Sequence, residues 1–96
     1  DSAMAIVGEG HPLFILNPGA GVTLHNGSQS YNAELLGFEG HDKRDALLAV
    51  FEMDKQCDAA PNDFVLEYDQ KRVTCELLET DASGDKTLLK LFIPSC

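Results

Sequence analysis

Tryptophan is absent and aromatic residues are few: two Tyr and five Phe in 96 residues. The stacking platforms of a carbohydrate or single-strand nucleic-acid reader are therefore poorly supplied. Positive charge is also scarce. Seven Lys and Arg stand against sixteen Asp and Glu, a formal net charge of -9, and residues 1–40 hold four acids (Asp1, Glu9, Glu34, Glu39) and no base at all. A phosphate backbone is bound by clustered Lys and Arg, and the only basic neighbours here are Lys43-Arg44 and Lys71-Arg72, so nucleic acid is not expected as a partner. Anionic membranes are disfavoured for the same reason. No apolar run approaches the ~20 residues of a transmembrane helix, so no membrane insertion is expected. A basic partner protein, by contrast, would be steered toward this surface, the plainer alternative being that the charge serves solubility alone.

Cysteine is limited to Cys57, Cys75 and Cys96. No CxxC occurs, His11, His25 and His41 are scattered, and no zinc spacing results, so neither metal nor cofactor is expected. In an exported chain the count suits one bridge and one odd thiol. Of the three pairings, Cys57 with Cys75 or with Cys96 is preferred. The alternative is a cytosolic domain with three reduced cysteines in which Cys75 is a small buried apolar residue.

The glycine-rich stretch NPGAGVTLHNG, residues 17–27, lacks what a phosphate loop needs. Gly19-Ala20-Gly21 is followed by Val22, Thr23 and Leu24 with no third glycine, and no lysine precedes Lys43. Both devices present a helix N-terminus to the anion, whereas Val22-Thr23-Leu24 ahead of Asn26-Gly27 reads as a strand entering a hairpin turn. These glycines bend the chain.

Catalytic constellations are missing too. There is no GxSxG elbow, and Gly27-Ser28-Gln29-Ser30 follows a tight turn. Asp81, Ser83 and Asp85 carry the first spacings of a calcium loop, but the glycine is Gly84 and the twelfth position is Phe92, so a hairpin is expected there. A thiolate pair between Cys57 or Cys75 and one of the histidines has no spacing to support it. Paired carboxylates such as Asp42 with Asp45, or Asp58 with Asp63, read as solvated loop residues.

What the sequence does contain is period-two alternation. Phe64, Leu66 and Tyr68 share one face of a strand, and Asp69-Gln70-Lys71 turns the chain. Val73, Cys75 and Leu77 form a second strand, Asp81–Asp85 a second turn, and Leu89, Leu91 and Ile93 a third strand. Leu88 and Phe92 lie on the other face of that strand, which predicts cover on both sides, and Pro94 ends it. Upstream, Pro12–Leu16 and Val22–His25 read as short strands. Tyr31, Ala33 and Leu35 share a face until the phase slips at Leu36-Gly37-Phe38, which predicts a β-bulge.

Asp42 to Gln56, DKRDALLAVFEMDKQ, is ambiguous. Strong helix formers and an acidic capping pair, Asp42 with Asp45, favour a helix over about 43–56. That helix would place Asp54 in the middle of the face made by Leu47, Val50 and Phe51, while Phe51-Glu52-Met53-Asp54 alternates. Strand is the preferred reading.

Two short stretches resemble known families. VTLHNGSQSYNAELLGFE is similar to the first motif of Sm-like RNA-binding barrels in its strand, turn and strand pattern, which implies a small barrel; the second, basic glycine-containing motif of that family is absent. LNPGAG resembles in placement an Asn-Pro loop of chagasin-like protease inhibitors, whose Arg-Pro-Trp loop has no counterpart.

The expected fold is all-β: a small antiparallel sandwich or partly closed barrel of about six to seven strands, with α+β as the alternative should 43–56 be helical. Residues 6–96 form one domain. Residues 1–5 are set aside as a tag scar or flexible N-terminus, since the chain starts neither on methionine nor with a signal peptide. The expected function is a non-catalytic protein-binding module, secreted or periplasmic rather than cytoplasmic, acting through loops or a sheet edge. The loop residues singled out are Asn17, Pro18, Gly19 and Gly21, with His41, Asp42, Lys43 and Arg44, and the segment Cys57–Asp63. Two alternatives stand beside it: an acidic inhibitor or immunity protein that neutralises a basic enzyme, and a self-associating structural subunit.

Overall fold

A computed structural model describes residues 4–7, 13–54 and 63–94 of the chain. These form eight β-strands: β1 (Met4–Val7), β2 (Leu13–Leu16), β3 (Gly21–Asn26), β4 (Gln29–Glu39), β5 (Ala46–Met53), β6 (Phe64–Tyr68), β7 (Lys71–Ser83) and β8 (Lys86–Pro94). No helix occurs among the described residues. β1 and β2 pair as a separate two-stranded antiparallel sheet, and the other six strands close a barrel in the order β3-β4-β5-β8-β7-β6. The barrel is thus two three-stranded meanders joined along two seams, β5 against β8 and β3 against β6, with every pairing antiparallel. The expected all-β class holds. The barrel is fully closed, and β1 includes Met4 and Ala5, which sequence alone had set aside.

β5 resolves the ambiguous segment. Its run is buried almost throughout, with Ala49, Phe51 and Met53 facing the core and Leu48 and Val50 on the outer face. As a strand it carries Asp54 beyond its end into solvent, where the helix would have buried that carboxylate. Asp45, expected to complete a capping pair, instead takes a left-handed φ of 60° just before the strand begins. A short side chain that bonds its own backbone tolerates that conformation.

Alternation fills the interior. Val22 and Leu24 of β3, Ala33 and Leu35 of β4, Phe64 and Leu66 of β6, Val73 and Cys75 of β7, and Leu89, Leu91 and Ile93 of β8 meet in one core, which Leu16 joins from the end of β2. Each such Leu, Ile or Phe, removed from water, contributes about 1.5–3 kcal/mol. The predicted bulge lies between Leu35 and Gly37, where β4 shifts register against β5. A second, between Leu77 and Glu79, displaces β7 against β8.

Three tight turns set the hairpins. Asn26 pairs with Gln29, so the β3–β4 turn is centred on Gly27-Ser28, one residue later than the Asn-Gly signal suggested. Gly27 alone of the two has positive φ, at 63°, the arrangement of a type II′ turn with glycine at its first central position. Gly84-Asp85 repeats it between β7 and β8, with φ of 66° at Gly84, so the Asp81, Ser83, Asp85 series is a hairpin as expected. Asp69-Gln70, between β6 and β7, has positive φ at both positions, as a type I′ turn requires, with no glycine to make it easy.

Candidate functional site

The first expected loop, Asn17 to Gly21, is stitched to β4. The Gly19 N–H donates to the Leu35 carbonyl at 2.8 Å, the Leu35 N–H to the Ala20 carbonyl at 2.9 Å, and the Ala20 N–H to the Asn17 carbonyl at 3.0 Å. The Gly19 and Ala20 donors are spent on the chain itself, so the loop extends the β3–β4 ladder; Gly19 supplies the φ of 95° that the bend needs. Asn17, Pro18 and Gly19 are exposed, and Gly21 opens β3 opposite Glu34.

The second loop folds back on the outer wall. The His41 ring meets Phe92 edge-on with centroids 5.2 Å apart, and its Nδ1 accepts the Lys43 N–H at 2.9 Å. Lys43 Nζ lies 5.2 Å over the same Phe92 ring and 2.8 Å from Glu76 Oε1. Phe92 is thereby half covered, which accounts for the double-sided cover read from its sequence position. Asp42 and Arg44 remain exposed. The two loops leave the same end of the barrel but hold on to different strands, β4 in one case and β7 with β8 in the other.

The third segment, Cys57 to Asp63, lies outside the described residues except Asp63, whose carbonyl accepts the Asn26 amide at 3.4 Å. Cys57 and Cys96 lie outside them as well. Cys75 is enclosed in the core with a free thiol, so of the two preferred bridges Cys57 to Cys75 is not formed, while Cys57 to Cys96 falls outside the described residues. Burial pushes that thiol up to about 12, which makes it an inert apolar filler.

A feature that sequence reading missed is the overhang of β7. This strand has thirteen residues and β6 has five, so β6 pairs only with Lys71–Cys75. From Glu76 to Ser83, β7 pairs with β8 on one side and, among the described residues, with no strand on the other. Glu76, Leu78, Glu79, Thr80, Asp81 and Ala82 are exposed, Leu78 by 49% after the bulge turns it outward. Glu76, Glu79 and Asp81 lie opposite Phe92, Lys90 and Leu88, which places all three acids on the outer wall. Glu76 is held by Lys43, and Glu79 lies 3.7 Å from Lys90, whose amine also bonds Glu39 at 3.0 Å; Glu39 first, then Glu79, holds that ammonium above its ordinary value. Asp81 has no ion pair among the described residues. The only sequence signal for this edge was the excess of acids in Glu76–Asp81.

Such an edge has the backbone groups to add a strand and the charge to prefer a basic one. Among the described residues no three His, Cys, Asp or Glu side chains converge as metal ligands. Comparison with known proteins finds no family model, no curated protein and no solved structure that matches the chain.

Proposed function

We propose that the chain is a non-catalytic protein-binding module that takes an extended segment of a basic partner along the edge of β7 that no described strand pairs with. The observation that carries this reading is the overhang Glu76–Ser83, exposed from Leu78 to Ala82 and lined on its outer wall by Glu76, Glu79 and Asp81. Strand addition there would engage main-chain hydrogen bonds, with Leu78 as an apolar contact and the acids selecting Lys or Arg. A second copy is a poorer occupant, because two chains of net charge -9 repel one another. The reading takes the module as exported, with Cys57 and Cys96 as its one bridge and Cys75 as the odd thiol. The same acidic row favours the inhibitor reading if the basic partner is an enzyme.

The test is titration of the labelled protein with an extended peptide of alternating Lys and Thr, followed by amide NMR. Shifts confined to residues 76–83, weakened at least tenfold by Glu79→Lys with Asp81→Lys, are expected. Shifts confined to Asn17–Gly21 or His41–Arg44, or none at all, would remove the edge from consideration. Strong loss of affinity with added salt would favour the inhibitor form of the reading.

A further inference from the structure

On the outer wall where β3, β4 and β6 meet, three side chains stand in line. Ser30 Oγ is 2.8 Å from His25 Nδ1, and His25 Nε2 is 2.7 Å from Glu67 Oε1. Arg72 donates to the same Glu67 oxygen at 3.2 Å. The register dictates the line: Ser30 lies directly opposite His25 on β4, and Glu67 lies opposite Thr23 on β6, two residues along and on the same face. A carboxylate at Nε2 fixes the imidazole tautomer with its proton there, so Nδ1 presents a lone pair and the Ser30 hydroxyl donates to it. Those are the relations of a nucleophile, its base and the group that orients the base. Beside Ser30 opens a cavity of about 190 Å³, lined by Ser30, Tyr31, Asn32, Met53 and Asp54.

We propose that Ser30 is a reactive hydroxyl that takes an acyl group from a small uncharged ester, with His25 as its base and Glu67 as the positioning residue. Oγ bonds to the ester carbonyl carbon as its proton passes to Nδ1. The bond to the leaving oxygen then breaks, and that oxygen departs with the proton from Nδ1, leaving an acyl-serine, one alcohol and a neutral imidazole. At about 190 Å³ the cavity has room for an acetyl-sized group. Asp54 at its wall and the net charge of -9 turn away anionic esters. This reaction ends at the acyl-serine without turnover, so it leaves the module non-catalytic, and it does not depend on the binding role, since the β7 edge shares none of these residues.

The experiment is acetylation of the full chain by p-nitrophenyl acetate, with the site and rate mapped by peptide mass. Ser28, which is exposed, and Ser83, in the same molecule and the same reagent, serve as internal references. A positioned base is worth about 100-fold or more, so Ser30 is expected to acetylate at least about 100 times faster than either. His25→Gln brings it to their level, and Glu67→Gln slows it at least tenfold while the ring ¹⁵N signals of His25 lose the Nε2-protonated pattern. Acetylation of Ser30 at the rate of Ser28 in the unmodified protein would overturn the proposal whether or not the variants fold.

Discussion

His25 Nε2 and Glu67 Oε1, 42 positions apart in the chain, lie 2.7 Å from one another across the seam where β3 meets β6. That seam pairs only three residues on each strand, against eight between β5 and β8. The His25 hydrogen bond, helped by Arg72, outweighs desolvation and holds the Glu67 carboxyl below its ordinary 4.5. A carboxyl whose folded value is depressed stabilises the fold fully above its unfolded value. It loses that contribution as pH falls through the folded one. Glu67→Gln is therefore expected to lower the melting temperature at pH 7, and the gap from the unmodified protein to narrow as pH drops below about 4.5. Parallel melting curves of the two proteins from pH 7 down to pH 3 check this; a gap independent of pH would show that the carboxylate's charge contributes nothing.

The strands were legible wherever one face meets the core. Phe64-Leu66-Tyr68, Val73-Cys75-Leu77 and Leu89-Leu91-Ile93 announced themselves, and the bulge at Gly37 was visible as a slip of phase. In β5, Asp54 decided between helix and strand because a strand lets it leave the core. The upper half of β7 was not legible: Thr80, Asp81 and Ala82 are polar or small and exposed, and their strand conformation comes from pairing with β8. The β3–β4 turn moved by one residue because Asn26 keeps its place in the ladder opposite Gln29, where its amide reaches Asp63. The pairing of distant strands was the other invisible step: the β3–β6 seam puts His25 beside Glu67, and the β5–β8 seam puts Lys43 beside Glu76. Local periodicity carries no information about which distant strands become neighbours.

Gln70 offers a direct gain in stability. It holds a φ of 64° beside Asp69 at 54°, in a turn whose second central position favours glycine. A left-handed conformation costs a non-glycine residue about 1–2 kcal/mol, and glycine gives back part of that through its freer unfolded chain. Gln70→Gly is thus expected to stabilise the protein by about 0.5–1 kcal/mol. The urea midpoint should rise with its slope unchanged; a lower midpoint would mean that the Gln70 side chain supports the turn.

Cys75 is expected to be silent toward thiol reagents until the barrel opens. With its thiol pushed up to about 12 by burial, Cys75 stays protonated at pH 8. Iodoacetamide should leave it unlabelled in the native protein and label it in guanidinium chloride, which peptide mapping after each treatment reads directly. The raised value also sets a pH dependence. Its contribution to stability is intact below the unfolded value near 9 and is lost as pH rises from there toward 12. Cys75→Ser, which places a hydroxyl among Phe64, Leu66 and Val73, should cost about 1–3 kcal/mol. Labelling of the native protein at Cys75 as fast as in guanidinium chloride would mean that the β6–β7 wall opens readily.

Thr87 is the one buried polar residue of the described core, 2% exposed, and its Oγ1 has no hydrogen-bond partner among the described residues. It begins the inward row of β8, opposite Met53 on β5 and Ala82 on β7, so the hydroxyl sits between apolar neighbours. A buried hydroxyl left unpaired costs about 1–3 kcal/mol, while valine has nearly the same shape and the same preference for strands. Thr87→Val is therefore expected to raise stability by about 1 kcal/mol, read as a higher melting temperature and urea midpoint. The opposite outcome would be equally informative. A stability loss of 1 kcal/mol or more would mean that Oγ1 is engaged in the folded protein in solution, and that the top of the barrel is wetter than its lining of Met53 and Leu89 implies.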